Sequence, residues 1–117
     1  MPLLKRGPLA QLTPSATTET TFYTCPALAT DGARGAWIKV VNRSTATSFR
    51  VRIRKNGEAD DNKQWVAYDE PIPASGTAGA QNTGVVVIGG LDAGDIIEVY
   101  AGSANLTFTL HGEEWQK

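Results

Sequence analysis

The first candidates for nucleophilic or acid–base catalysis in this 117-residue chain are its single histidine, His111, and its single cysteine, Cys25. A Ser–His–Asp site needs a histidine beside its nucleophile, and a reactive cysteine needs an activating neighbour. No Cys or Ser partner pattern lies near His111, and Cys25 directly precedes Pro26. A triad assembles in space, so the sequence leaves one open without proposing it. We interpret both residues as structural and expect no enzymatic activity.

Carboxylates are the next candidates, because they can bind cations or hydrolyse glycosides. Glu58, Asp60 and Asp61 fall in one polar loop, but the ligand order of an EF-hand is missing. We interpret them as solvated loop charge, with a weak divalent-cation site as the alternative. Glu113 and Glu114 are adjacent, so in a strand they would point to opposite faces rather than share one site. The sequence predicts no metal ion and no cofactor.

Three arginines, Arg50, Arg52 and Arg54, alternate along one predicted strand and would share a face. The planar guanidinium binds carboxylates at two points, so one hypothesis is a cationic strip that contacts acidic groups of a partner protein. A solvated sheet face explains the pattern equally well. Nucleic acid is disfavoured, because 11 basic and 12 acidic residues give a net charge of −1, whereas nucleic-acid-binding domains are usually basic.

These arginines lie within the stretch around which the chain is organised, residues 36–55, AWIKVVNRSTATSFRVRIRK. Its two arms alternate with a period of two on either side of a polar turn, which predicts a half-buried antiparallel hairpin. The inner, apolar face of that hairpin is our core prediction. It consists of Ile38, Val40, Phe49, Val51 and Ile53.

The rest of the chain shows β-branched and aromatic runs between turn residues, and no amphipathic helix pattern. Further strands are predicted at 17–25, 64–68, 85–88, 96–101 and 106–111, with the last two forming a second hairpin. The VVVI run at 85–88 predicts a strand covered on both faces. Residues 77–84 could form an edge strand or a loop. Seven or eight strands predict an all-β fold, a single antiparallel, jelly-roll-like β-sandwich.

The first fifteen residues predict an extended N-terminal arm (1–15) that precedes the sandwich domain (16–117). Pro2, Pro8 and Pro14 disfavour a central strand, because proline lacks the amide hydrogen that strand pairing needs. The arm is nonetheless apolar, so we expect it to pack either on its own domain or on a neighbouring subunit. Its leucines are Leu3, Leu4, Leu9 and Leu12.

Export and membrane signals are not evident in the sequence. The stretch MPLLKRGPLA is too short and interrupted for a signal peptide, and no run of about 18 apolar residues suggests a membrane span. A single cysteine cannot form an internal disulfide, so it gives no sign of an oxidising compartment. We therefore expect synthesis in a cytoplasm and no membrane partner.

Several groups of residues, in this order and spacing, match one known pattern. They are 5–10 (KRGPLA), 18–24 (TETTFYT) with Pro26, 41–44 (VNRS) with 49–51 (FRV), 67–69 (AYD) with 71–73 (PIP), and 91–95 (LDAGD) through 99–101 (VYA) to 103–105 (SAN) and Phe108. On these residues the chain resembles a family of small tailed-phage structural proteins. It departs from that pattern at 25–35, where Cys25 and a longer loop replace a valine and a short Gly-Lys turn.

The resemblance implies a β-sandwich accessory component of the virion and supplies no catalytic residues. We expect a capsid decoration, or cement, protein that binds the major capsid protein, forms a homo-oligomer and contacts no nucleic acid. The arm and the arginines would make the contacts. The expected partner-binding residues are Leu3, Leu4, Lys5, Arg6, Leu9, Leu12, Arg50, Arg52 and Arg54.

Two alternatives remain at this point. The protein could occupy the neck, tail or baseplate of the particle and bind neck or tail proteins instead. It could also be a carbohydrate-binding module for host attachment, in which aromatic side chains stack on sugars, although core packing explains most of them more simply. The aromatic candidates are Trp37, Trp65, Tyr68 and Trp115.

Overall fold

A computed structural model describes residues 2–76, 78–79 and 81–117, and over these residues the chain is all-β. The strands are β1 (Leu3–Leu12), β2 (Thr20–Thr24), β3 (Ala33–Asn42), β4 (Thr47–Arg54), β5 (Trp65–Ile72), β6 (Thr83–Leu91), β7 (Ile96–Ala101) and β8 (Leu106–Trp115). A 3-10 turn, Asn62–Gln64, precedes β5. The prediction of an all-β fold is therefore confirmed.

The strands form two antiparallel four-stranded sheets, which confirms the predicted sandwich. The first sheet has the order β1-β8-β3-β6, and the second sheet has the order β2-β7-β4-β5. The edge strands are therefore β1 and β6 in the first sheet and β2 and β5 in the second. Within the described residues, no helix has the length and apolar character needed to cross a membrane.

The predicted hairpin at 36–55 is wrong. Strand β3 pairs with β6 and β8, whereas β4 pairs with β5 and β7, so the two arms lie in different sheets. Asn42, which is fully buried, holds the connection by donating to the carbonyls of Thr45 (2.8 Å) and Pro73 (3.0 Å). The second predicted hairpin is wrong for the same reason, because β7 and β8 also belong to different sheets.

The inner face predicted for residues 36–55 nevertheless packs in the core between the sheets. Ile38, Val40, Phe49 and Val51 are at most 1% exposed, and Ile53 packs against them while partly buried. An alternating strand buries its apolar face in the same way whether its neighbour is paired beside it or stacked across the core. The core prediction is therefore correct although the pairing is not.

The N-terminal segment forms β1, an edge strand that pairs with β8 of the same chain. Its two register shifts bracket Lys5–Pro8, and Gly7 has a φ of +91°. Pro8 at a sheet edge agrees with the expectation that this segment is not a central strand. The division of the chain at residues 15 and 16 stays a prediction.

Residues 77–84 contain two positions, Thr77 and Ala80, that lie outside the described residues, as does Met1. Strand β6 begins at Thr83. The prediction that residues 85–88 are covered on both faces is wrong, because Val85 is 62% and Val87 77% exposed. These two residues lie on the outer face of an edge strand, while Val86 points inward and is buried.

Candidate functional site

The three arginines of β4 lie on the outer face of the second sheet, interleaved with aromatic rings and carboxylates. Strand register places Arg50 opposite Tyr100 and Arg52 opposite Glu98 on β7, with Trp65 opposite Arg52 on β5. The three guanidinium groups contact carboxylates from several separate segments of the same chain. These are Glu19, Asp60, Asp69 and Glu98.

Arg50 is held between two tyrosines. Its guanidinium carbon lies 4.2 Å from the ring centre of Tyr68 and 4.6 Å from that of Tyr100. Its Nε donates a 2.7 Å hydrogen bond to Asp69 Oδ1, which raises the pKa of Arg50 above its already high usual value. The side chain is still about a quarter exposed, so it can be reached from solvent.

Arg52 is buried, with 7% of its surface exposed. Its Nη2 donates a 3.0 Å hydrogen bond to Glu19 Oε2, and its guanidinium lies 4.1 Å from the ring centre of Trp65. Its Nε lies 2.6 Å from Glu19 Oε1 without hydrogen-bond geometry, so that contact is purely electrostatic. A buried, paired arginine is part of the fold rather than a free group for a partner.

Arg54 completes the network. Its Nε donates a 3.2 Å hydrogen bond to Glu98 Oε1 and lies 3.3 Å from Asp60 Oδ1, while its Nη1 donates to the carbonyl of Glu58. The strip expected to present free positive charge is therefore neutralised within the chain. Arg50 is the most exposed of its three arginines, at 27% against 23% for Arg54 and 8% for Arg52.

The same region contains carboxylates that could hold a metal ion. Oxygens of Glu19, Asp60 and Glu98 lie within 4.8 Å of one another. Arg52 and Arg54 already contact these oxygens, and both guanidinium groups would repel a metal cation there. We assign the cluster to the arginine network.

The loop carboxylates Glu58, Asp60 and Asp61 make different contacts in the structure. Asp61 accepts a hydrogen bond from the Lys63 amide and begins the 3-10 turn, whereas Glu58 lies 3.5 Å from Lys63 Nζ. Asp60 faces the arginines. Local capping and ion pairing therefore explain all three residues.

His111 and Cys25 are in separate environments. The imidazole of His111 stacks on Trp37 on the outer face of the first sheet, with ring centres 4.4 Å apart and planes 15° apart. Cys25 is 1% exposed in the core, and burial raises the pKa of its thiol. A thiol that stays protonated is a poor nucleophile.

A buried polar pair that sequence reasoning missed connects the two sheets. The Tyr23 hydroxyl of β2 donates a 2.5 Å hydrogen bond to Glu114 Oε2 of β8, and both residues are at least 93% buried. Burial, and then this hydrogen bond, raise the pKa of Tyr23 far above its usual value. The adjacency of Glu113 and Glu114 was the available signal, since one of the two had to face inward.

The predicted partner-binding residues of β1 are divided between surface and core. Leu3 and Leu4 are 38% and 37% exposed, and Lys5 and Arg6 are exposed beside them. Leu9 is buried, and Leu12 packs partly buried against the core. The start of β1 is therefore an exposed surface with two leucines and two positive charges.

The aromatic candidates do not form one platform. Trp37 lies on the first sheet, whereas Trp65 and Tyr68 pack edge to face on the second, 5.2 Å between ring centres. Trp115, at the end of β8, lies 5.7 Å from the guanidinium of Arg34. Trp65 and Tyr68, with Asn62, share a surface depression of about 210 Å³.

No protein-family model matches the chain, and a search of curated proteins found no match.

Proposed function

We propose that this chain is a non-enzymatic structural component of a tailed-phage virion, a capsid decoration protein that binds the major capsid protein and stabilises the shell. The sandwich is, on this proposal, a jelly roll. The observation that carries the proposal is the strand order, 1-8-3-6 in one sheet and 2-7-4-5 in the other. Jelly rolls are built from eight strands in two sheets and occur in viral capsid proteins, lectin domains and cupins.

The resemblance of the sequence to small tailed-phage structural proteins selects the viral role among these. Fold alone does not define function, so this step rests on the matched residues. The surface that the structure offers for capsid contact is narrower than the sequence predicted, because Arg52 and Leu9 are buried. On this proposal the contact is made by the exposed start of β1, Leu3 to Arg6.

Copy number per particle tests the proposal. Quantitative mass spectrometry of purified virions should find the chain on the order of hundreds of times per particle, as symmetric capsid sites require, and roughly a dozen or fewer would place it at the neck, tail or baseplate. Absence from purified virions would exclude the virion role altogether. Imaging of particles carrying a labelled chain would then locate the sites.

A second candidate function, binding of a host-surface glycan, is favoured by the depression formed by Asn62, Trp65 and Tyr68. Aromatic rings stack on sugars and an amide bonds hydroxyls, and Tyr68 is 55% exposed. Binding of a glycan array by the wild-type domain, lost in Tyr68→Ala and kept in Trp37→Ala, is the expected result for this candidate. If the wild-type domain binds no glycan on the array, the glycan-binding function is excluded.

A further inference from the structure

Strand β6 has a free edge with an unusual composition. Among the described strands only β3 pairs with it. Its nine residues, TGVVVIGGL, include no charge and no proline, and Val85 and Val87 are largely exposed. A long apolar edge strand is a template for pairing with another chain, so soluble proteins normally protect such edges.

The other three edges of the sandwich are protected. Strand β1 carries Lys5, Arg6 and Pro8 and two register shifts. Strand β5 carries Glu70 and Pro71 and two register shifts, and β2 is five residues long with one shift. Charges, prolines, irregularities and short length are the devices that block edge pairing. The register of β6 with β3 also has two shifts, but both lie beyond Val87 toward Leu91, and the register is unbroken from Thr83 to Val87.

The backbone groups of this unbroken run can be assigned to one edge or the other. The Asn42 amide donates to the Asn82 carbonyl at 2.8 Å, one step beyond the Val41–Thr83 pair. Opposite pairs in an antiparallel ladder alternate between bonded and non-bonded. The non-bonded positions of β6 are therefore Thr83, Val85 and Val87, whose N–H and C=O groups point to the free edge.

We propose that two copies of this chain pair through β6, antiparallel, about a two-fold axis at Val85. Each Val85 then lies opposite its own copy, and Thr83 lies opposite Val87 of the other copy. All three outward-pointing residues are used, and each opposed pair exchanges two backbone hydrogen bonds. The first sheet of one copy and the first sheet of the other then form one continuous sheet.

A second copy fits this edge because the edge is complementary to itself, which a two-fold interface requires. Identical strands without charges meet without like-charge repulsion. Val85 and Val87 of both copies would form one apolar patch, extended by Trp37, which lies opposite Val87 in β3. A groove of about 340 Å³ between β5 and β6 opens beside the same edge, and Val66 lines it while 46% exposed.

This inference does not depend on a role in the virion, because it rests only on the edges of the sheets. A failed capsid assay would leave it standing, and a monomeric protein would leave the capsid proposal standing.

Sedimentation velocity over a dilution series tests the pairing with a matched pair of variants. Val85 and Gln11 lie at opposite ends of one row across the first sheet, through Lys39 and Thr109. Val85→Glu places a carboxylate beside Lys39 in its own chain, but two carboxylates face each other across the axis. We expect a wild-type dimer, a Val85→Glu monomer and a Gln11→Glu dimer. A wild-type monomer, or a dimer unchanged in Val85→Glu, would overturn the proposal.

Two measurements that need no destabilising variant accompany this. Amide exchange of the wild-type protein should be slowed at Val85 and Val87 in concentrated solution relative to dilute solution. Under mild oxidation Val85→Cys should form a disulfide-linked dimer and Gln11→Cys should not, since opposed Cα atoms about 5.5 Å apart suit a disulfide. Equal exchange at all concentrations, or cross-linking at position 11 instead, contradicts the β6 interface.

Discussion

The Tyr23 hydroxyl and the Glu114 carboxylate form a 2.5 Å hydrogen bond across the core, joining β2 of one sheet to β8 of the other. A carboxylate can be buried at low cost only when a donor reaches it. Tyr23 therefore allows Glu114 to lie inside the sandwich, and the pair links the edge of the second sheet to an inner strand of the first.

Tyr23 makes the stability of the protein sensitive to alkaline pH. Its pKa is raised in the folded state, so above about pH 10 the unfolded chain loses this proton while the folded protein retains it. Unfolding then releases a proton, and the free energy of unfolding falls by about 1.4 kcal/mol per pH unit from this group.

Denaturant unfolding of the wild type and Tyr23→Phe measures how the free energy of unfolding falls with pH. The range from about pH 8 to 12 brackets the usual tyrosine pKa of about 10. Tyr23→Phe should be less stable at neutral pH by about 1–3 kcal/mol, because Glu114 loses its donor. Its decline above pH 10 should be shallower, although the Cys25 thiol, whose pKa is also raised, still contributes. Parallel curves for the two proteins would contradict the assignment.

Arg52 should matter for folding and Arg50 much less. Arg52→Ala leaves Glu19 without its buried partner and should destabilise by about 1–3 kcal/mol, less than for a fully buried pair because Glu19 is still 30% exposed. Arg50→Ala is the matched control, because Arg50 lies two residues away on the same face of β4 and is accessible to solvent. This variant should lose less stability. Thermal unfolding compares the two. An equal loss in both variants would show that burial does not separate their roles.

Gly32 occupies a position that an alanine cannot. Its φ is +80°, and a Cβ there would overlap the carbonyl oxygen of Leu91 at 2.1 Å. Gly32→Ala should lower the free energy of unfolding by more than about 1 kcal/mol. Gly35 has a φ of +60° with open space around the same position, so Gly35→Ala carries only the backbone penalty. A loss in Gly35→Ala as large as in Gly32→Ala would contradict the close approach.

Deletion of residues 1–12 should unfold or aggregate the domain rather than produce a folded protein that no longer binds capsids. The deletion removes the buried Leu9 and uncovers the edge of β8. Leu3→Ser with Leu4→Ser is the better test of capsid contact, because both side chains are over a third exposed. Leu28→Ser, at a loop position 63% exposed, is its control.

Pull-down on purified particles gives the readout for these leucine variants. The Leu3/Leu4 double variant should bind fewer particles than wild type while its melting temperature stays within a few degrees, as for surface substitutions. Wild-type binding by the double variant would remove the start of β1 from the proposed capsid contact.

The period-two patterns of β3 and β4 identified their inward faces from sequence alone, since alternation reports which side of a strand is apolar. It does not report which strand lies beside it. The chain leaves Asn42 in one sheet and enters the other at Thr47, and a polar turn of this length serves a hairpin or a crossing between sheets equally. The turn at 102–105, between β7 and β8, is ambiguous in the same way, and each of the two hairpin errors arises at one of these turns.

The arginine site was half predictable. Alternation placed Arg50, Arg52 and Arg54 on one face, but their carboxylate partners come from positions 19, 60, 69 and 98, which only the folded chain brings together. The apolar run at β6 failed for a different reason. A continuous apolar run predicts a strand whose two faces are both buried. In the described chain, however, Val85 and Val87 are exposed to solvent.

The strand order also governs when this chain can fold. Among the described strands, only β4 and β5 are neighbours both in sequence and in a sheet. Each of the other pairings joins distant segments, so that β1 pairs with β8 and β2 pairs with β7. Closing such long loops costs chain entropy before the stabilising contacts form, and this slows folding. We therefore expect the millisecond-to-second folding kinetics typical of β-sandwiches. During synthesis β1 and β2 remain unpaired until the last strands leave the ribosome, and the sandwich closes only after translation has passed β8.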